Sequence, residues 1–211
     1  MATPDLLPLF PLDVVLLPGV LLPLHIFEPR YREMIGEAIE RKSTFGVVLV
    51  LDQKLTAAGC TAFARVTQSY DDGRFDIEAL GVRRFTIAEI DQSRDYLQGS
   101  VEFFDDEPSP EPDPELVSTV SALAHQVIDL EGGTLPPELA ELAQSAEPPG
   151  NLSFIVAGAI RLELPFKQRL LTERSESQRL KLLEMHLPQL TQELRTTRRA
   201  QRLAGSNGHP G

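Results

Sequence analysis

The stretch 61-TAFARVTQSYDDGRFDIEAL-80 decides the fold. Along Thr61–Tyr70, Ala62, Ala64 and Val66 alternate with Phe63, Arg65 and Thr67, the period of two that marks a half-buried strand. Asp71-Asp72-Gly73 then supplies a tight turn, because glycine adopts the positive φ such turns need. The chain returns through Arg74–Leu80 with Phe75, Ile77 and Ala79 in one phase and Asp76 and Glu78 in the other. Two alternating runs joined by so short a turn predict an antiparallel hairpin. Gly81 interrupts the pattern before Val82–Ile90 resumes it, which predicts a bulge or sharp bend.

The neighbouring segments speak the same language. Phe45–Leu51 (FGVVLVL) is a continuous β-branched run of the kind buried on both faces. Tyr96–Phe104 reads as a last strand, and Leu21–Phe27 as an apolar, strand-like run that stops at Pro29. Short strands with tight connections predict an antiparallel, partly closed barrel up to Asp106.

Glu107–Pro114 (EPSPEPDP) is an acidic linker, stiffened by its prolines. Beyond it the period changes. Asp113 is placed to cap a helix with Pro114 at its first position, and Leu116, Val120, Leu123, Val127 and Leu130 follow at steps of four and three. Gly132-Gly133 ends that helix. Pro136–Ala146, Leu152–Leu162 and Phe166–Thr172 predict short helices. A long one opens at Ser175, which has capping-box spacing to Gln178. Its stripe is Leu180, Leu183, Leu187, Leu190 and Leu194, and Pro188 is expected to kink or divide it. The domains expected are therefore 1–106, a linker at 107–114, a helical domain at 115–204 and a disordered tail at 205–211.

The 211 residues are 42% hydrophobic and carry a net charge of −11, from 31 acidic and 20 basic side chains. Such a field repels phosphate backbones, so no nucleic-acid partner is expected. The arginines near the C-terminus (Arg195, Arg198, Arg199, Arg202) sit where a helix dipole favours them. A single cysteine, Cys60, leaves no disulfide and no multi-cysteine metal site. The prolines of MATPDLLPLFPLD argue against a signal peptide, and no apolar run approaches membrane-spanning length. A soluble, cytoplasmic protein is expected.

Candidate chemistry is sparse. His25, His125, His186 and His209 have no second histidine or cysteine at ligand spacing, so neither metal nor cofactor is expected. His25 reads as a packed histidine with one satisfied nitrogen. The segment from Gly36 to Ser43 has the length of a phosphate loop, but Arg41 stands where its second glycine is needed, and Met34, Ile35, Ala38 and Ile39 mark a helix. No nucleophile elbow is present. Nothing supports catalysis.

Leu9-Phe10-Pro11-Leu12-Asp13-Val14-Val15-Leu16-Leu17-Pro18-Gly19, followed by Leu22-Pro23-Leu24-His25-Ile26-Phe27-Glu28, resembles the opening of the Lon protease N-terminal domain in its stand-alone members. Gly59–Val66, the Asp-Asp-Gly turn, Ala79–Phe85, Leu135–Leu139, Gln168–Leu171 and Arg179-Leu180 continue the resemblance in order along nearly the whole chain. It implies an α+β protein, a PUA-like antiparallel pseudo-barrel followed by a helical bundle whose long last helix is interrupted by proline. It also implies a non-catalytic protein that binds unfolded or misfolded protein segments, or a partner such as a separate ATP-dependent protease. RNA binding, common among PUA-like barrels, and an unrecognised hydrolase are the alternatives.

Two stretches are candidate recognition surfaces. In the first, Glu28, Arg30, Tyr31 and Arg32 crowd the start of a helix, and tyrosine and arginine dominate binding hot spots. In the second, Pro11–Pro23, eleven Leu, Val or Pro residues exceed what a small barrel wall needs. Leu17, Pro18, Leu21 and Leu22 are the expected exposed patch, with a strand edge able to add a peptide strand.

Overall fold

The computed structural model describes residues 6–134, 136–137 and 151–206. It is an α+β structure with a six-stranded mixed sheet and, among the described residues, five helices. These divide into two compact units.

The first unit runs to Asp106 and takes back Glu163–Thr172. Its strands are β1 (Leu7–Leu12), β2 (Leu21–Ile26), β3 (Phe45–Leu51), β4 (Lys54–Ser69), β5 (Phe75–Asp91) and β6 (Gln98–Phe104), in spatial order β2-β5-β4-β3-β1-β6. Because β6 also pairs with β5, five strands close into a ring and β2 lies outside it on β5. The expected β4–β5 hairpin is present: Tyr70 N–H donates to Arg74 O at 2.9 Å and Gly73 has φ +82°. Phe45–Leu49 is buried, as its β-branched run predicts.

One expectation is corrected: the sheet is not wholly antiparallel, since β1 pairs with β3 in parallel. Parallel neighbours need a long crossover. Here β2 and helix α1 (Pro29–Glu40) supply it. The bend foreseen at Gly81 is a register shift beside it, between Cys60 and Ala62 of β4. A Cβ at Gly81 would lie 2.1 Å from Leu17 O, so this close approach admits only glycine.

Helix α1 buries Tyr31, Met34, Ile35 and Ala38, one stripe at helical spacing. The sequence between β2 and β3 thus becomes a lid of apolar side chains for this unit's core. Phe10, Phe45, Leu9 and Phe85 are core residues of the same unit.

The second unit holds α2 (Pro114–Glu131), α3 (Leu152–Ala159) and α5 (Glu176–Ser206). Asp113 caps α2 by accepting from Glu115 N, and Gly132 closes it at φ +72°. The buried stripe is Leu116, Val117, Val120, Ala124, Val127 and Ile128, with Leu123 and Leu130 only half-buried. Ser175 Oγ accepts from Gln178 N at the start of α5. Arg198 donates to Asp129 O at the C-terminal end of α2, where a cation meets the negative pole of the helix dipole.

Pro188 does not divide α5, which runs through to Ser206. Leu183 and Leu187, both fully buried, and Thr191, whose Oγ1 donates to Leu187 O, flank the proline. Of the expected tail, Gly205 and Ser206 are helical and 207–211 lie outside the described residues, as does most of the expected helix Pro136–Ala146.

The unit is pinned by a buried polar cluster. Arg179, 1% exposed, donates to Glu176 Oε2 (2.6 Å), Ser153 Oγ (2.8 Å) and Glu173 O (2.8 Å) and lies over the Phe154 ring. Glu176 in turn accepts from Ser153 N and Oγ. A buried arginine is tolerated only when its donors are met in this way.

Helix α4 (Leu164–Thr172), expected among the helices, groups instead with the sheet. It buries Leu170 and Leu171 completely, and two hydrogen bonds tie it to the strands. Gln168 Nε2 donates to Ala58 O at 2.9 Å, and buried Arg84 on β5 donates to Leu171 O at 3.1 Å while pairing with Asp106.

Candidate functional site

The alternation in β5 fixes the site. Phe75, Ile77 and Ala79 turn inward, so Asp76, Glu78 and Leu80 face out. Paired residues of antiparallel neighbours share a face. The registers Leu21↔Leu80 and Phe63↔Leu80 therefore line Leu21, Leu80 and Phe63 across three strands. They are 56%, 41% and 47% exposed, large values for bulky apolar side chains placed side by side.

A polar row runs beside them: Pro23, Glu78 and Arg65, with Arg65 ion-paired to Glu78. A third row is aromatic. His25 Nδ1 bonds Asp76 Oδ1, Tyr70 Oη donates to Asp76 Oδ2 at 2.7 Å, and Phe27, 59% exposed, stacks 6.0 Å from the His25 ring. These two hydrogen bonds hold the Asp76 carboxyl below the usual carboxylate range, Tyr70 contributing most. The same bond to Asp76 raises the Tyr70 phenol. His25 has its one satisfied nitrogen as expected, but it stands on the outer face rather than packed inside.

The residues singled out in the sequence separate into three groups. Tyr31 and Leu17 are corrected: at 8% and 1% exposed they belong to the core and cannot meet a partner directly. The Tyr31 ring lies 4.3 Å from that of Phe10, and burial raises its phenol. Arg32 and Pro18 have structural partners. Arg32 Nη1 donates to Asp72 O at 2.9 Å and ties the hairpin tip to α1. Pro18 and Gly19 form the corner of a turn closed by Val20 N–H on Leu17 O, with Gly19 at φ +77°, the type II arrangement. Glu28, Arg30, Leu21 and Leu22 remain at the surface or half-buried. Glu28 and Arg30 pair with each other at 2.7 Å, and Arg30 covers the Tyr31 ring at 4.6 Å.

Phe63, Leu80 and Phe27 were missed. The signal for two of them was available: each is bulky and apolar yet falls in the same phase as charged residues, Phe63 with Arg65 and Leu80 with Asp76 and Glu78.

Cys60 is fully buried, and desolvation pushes its thiol up to about 12, so it is no nucleophile. Among the described residues no group of three or more His, Cys, Asp or Glu side chains is placed to hold a metal ion, and no helix is long and apolar enough to cross a membrane.

The Lon protease of Parabacteroides distasonis is 28% identical over 162 residues, 72% of this chain and 18% of its own length. The chain thus spans about a fifth of such relatives. The crystal structure of a Lon N-terminal domain protein from Xanthomonas campestris matches with a TM-score of 0.65 and 27% identity, covering 85% of this chain and 96% of that one. The N-terminal domain of a Mycobacterium avium complex Lon protease shares the fold at a TM-score of 0.62 and 19% identity, over 87% of this chain and 98% of that one. Residues 6–189 match the ATP-dependent protease La (LON) substrate-binding domain, and the chain belongs to that family.

Proposed function

We propose that this chain binds unfolded or misfolded protein segments, without catalysis, on the outer face of β2, β5 and β4. The observation that carries the reading is the row Leu21–Leu80–Phe63, apolar and exposed across three paired strands. An unfolded segment offers the apolar side chains such a row lacks, and burying each exposed leucine or phenylalanine adds on the order of 1–2 kcal/mol. Phe27, Tyr70 and His25 extend the surface with rings, the side-chain type favoured at binding hot spots. Glu28 and Arg30, within three residues of Phe27, form the polar rim.

Membership of a substrate-binding family supports a protein ligand, and a separate ATP-dependent protease is the natural recipient of what is bound. The closed ring of strands supports a PUA-like pseudo-barrel in the first unit, and the packing of α2 against α5 supports a helical bundle in the second. A cytoplasmic location fits a single buried thiol. The net charge of −11 disfavours RNA as the ligand.

Reduced, carboxymethylated α-lactalbumin, a permanently unfolded protein, is the test ligand, with binding read by fluorescence anisotropy. Leu21→Ser, Leu80→Ser and Phe63→Ser should each weaken binding by about tenfold or more. Their melting temperatures should stay near that of the parent. Undiminished affinity in the folded triple variant would remove the face from the reading.

A further inference from the structure

From the edge of β2 that no strand pairs among the described residues, we infer that the bound segment is held as an added β-strand, a mode that rests on the protein-binding reading above. The register decides which backbone groups are free. Gly19 N–H donates to Gly81 O and Gly81 N–H to Val20 O, at 2.9 and 3.0 Å, a bulge with a left-handed glycine at its first position. The narrow pairs that follow are Leu22↔Ala79, Leu24↔Ile77 and Ile26↔Phe75, because hydrogen-bonded pairs alternate along an antiparallel ladder. Leu21, Pro23 and His25 therefore direct their backbone groups away from β5.

Pro23 agrees with this phase, since proline within a sheet is tolerated where its missing N–H faces the open side. Three carbonyls and the N–H groups of Leu21 and His25 line the edge. None of these three residues has a backbone partner outside the β2–β5 ladder among the described residues.

The chemistry of such an edge is that of another extended backbone. The side chains make the same demand. Leu22 and Leu24 point inward yet are only half-buried, while Leu21, Pro23 and His25 are exposed on the outer face. A strand alongside would cover Leu22 and Leu24 with one set of its side chains and extend the Leu21–Leu80–Phe63 row with the other. Pro23 removes one donor from the middle of the edge, which weakens open-ended self-pairing but leaves the carbonyls for a short segment.

The probe is an acetylated decapeptide, Lys-Val-Thr-Val-Thr-Val-Thr-Val-Thr-Lys, made unmodified, with every valine nitrogen methylated, or with every threonine nitrogen methylated. An added strand presents only one of these rows to β2. One methylated peptide should lose at least about tenfold in affinity and the other should bind as the parent does. Pro23→Thr, which restores the outward donor, should tighten the parent peptide by about threefold. Equal affinity of all three peptides, or equal loss in both methylated forms, overturns the added strand, as does unchanged affinity in Pro23→Thr. A dimer seen in sedimentation velocity that dissociates in Leu22→Asp would hand the edge to a second copy and also overturn it. If carboxymethylated α-lactalbumin binds while methylation has no effect, only the edge fails. If neither ligand binds, the protein-binding reading itself fails.

Discussion

Replacing Glu176 by glutamine keeps the shape of the side chain and removes its charge. The amide oxygen can still accept from Ser153 N, but its NH2 then faces the Arg179 Nη2 that donates to the carboxylate at 2.6 Å. Arg179 is 1% exposed, so water cannot replace the lost partner. Breaking one side of a buried ion pair costs about 3–5 kcal/mol. For a chain of this size that corresponds to a melting temperature lower by roughly 6–20 °C. Changing Arg179 to methionine as well removes the cation together with the charge it faced, and methionine packs against Phe154. Glu173 O and Ser153 Oγ then lose the donors that Arg179 gave them, so the double variant should recover part of the loss and lie within about 1–3 kcal/mol of the parent. Urea unfolding followed by circular dichroism measures both variants, and the double-mutant cycle isolates the coupling. A loss below about 1 kcal/mol in Glu176→Gln, or a double variant as unstable as the single, would refute a charge-dependent cluster.

Tyr31→Ala should destabilise by about 3–5 kcal/mol, as aromatic truncations in cores do. Any loss of ligand affinity should then be recovered where the variant is folded, which a binding titration at low temperature checks. Cys60 should resist a thiol reagent such as dithionitrobenzoate in the native state and react within seconds in denaturant; fast native reaction would contradict its burial. The pKa of Asp76 is depressed in the folded state, so its contribution is complete above the ordinary aspartate value of about 3.9 and is lost as pH falls through the lower folded value. Asp76→Asn should accordingly show a shallower fall in urea midpoint below about pH 4 than the parent; identical slopes would remove Asp76 as the responsible group.

The parts of this fold legible in the sequence are those written in local contacts. The turn at Gly73, the cap at Asp113 and the left-handed Gly132 each depend on neighbours within a few residues. The parallel pairing of β1 with β3 depends on a crossover whose direction no local pattern states. Arg179 and Glu176, three apart on a helix, look like an ordinary surface pair until α3 brings Ser153 and Phe154 to them. Tyr31 stands among the charged residues Glu28, Arg30 and Arg32, which pattern it as surface. Its spacing to Met34 and Ile35 already assigned it to the buried stripe of α1. The outer row draws on β2, β4 and β5 at once, so its members become neighbours only after the sheet has formed.

The placement of α4 has a consequence for the chain as it is made. The polypeptide passes between the two units three times, at 106/107, 162/163 and 172/173. A ribosome releases all six strands before the helix that accepts Arg84 and caps Ala58 O exists. At about 5–20 residues per second, the interval from Asp106 to Thr172 is roughly 3–13 s. During it the nascent sheet carries an arginine destined for burial with no Leu171 carbonyl to receive it. The first unit matures only after much of the second has emerged, so a translational pause before Thr172 holds an incomplete sheet, with its apolar face, within reach of chaperones.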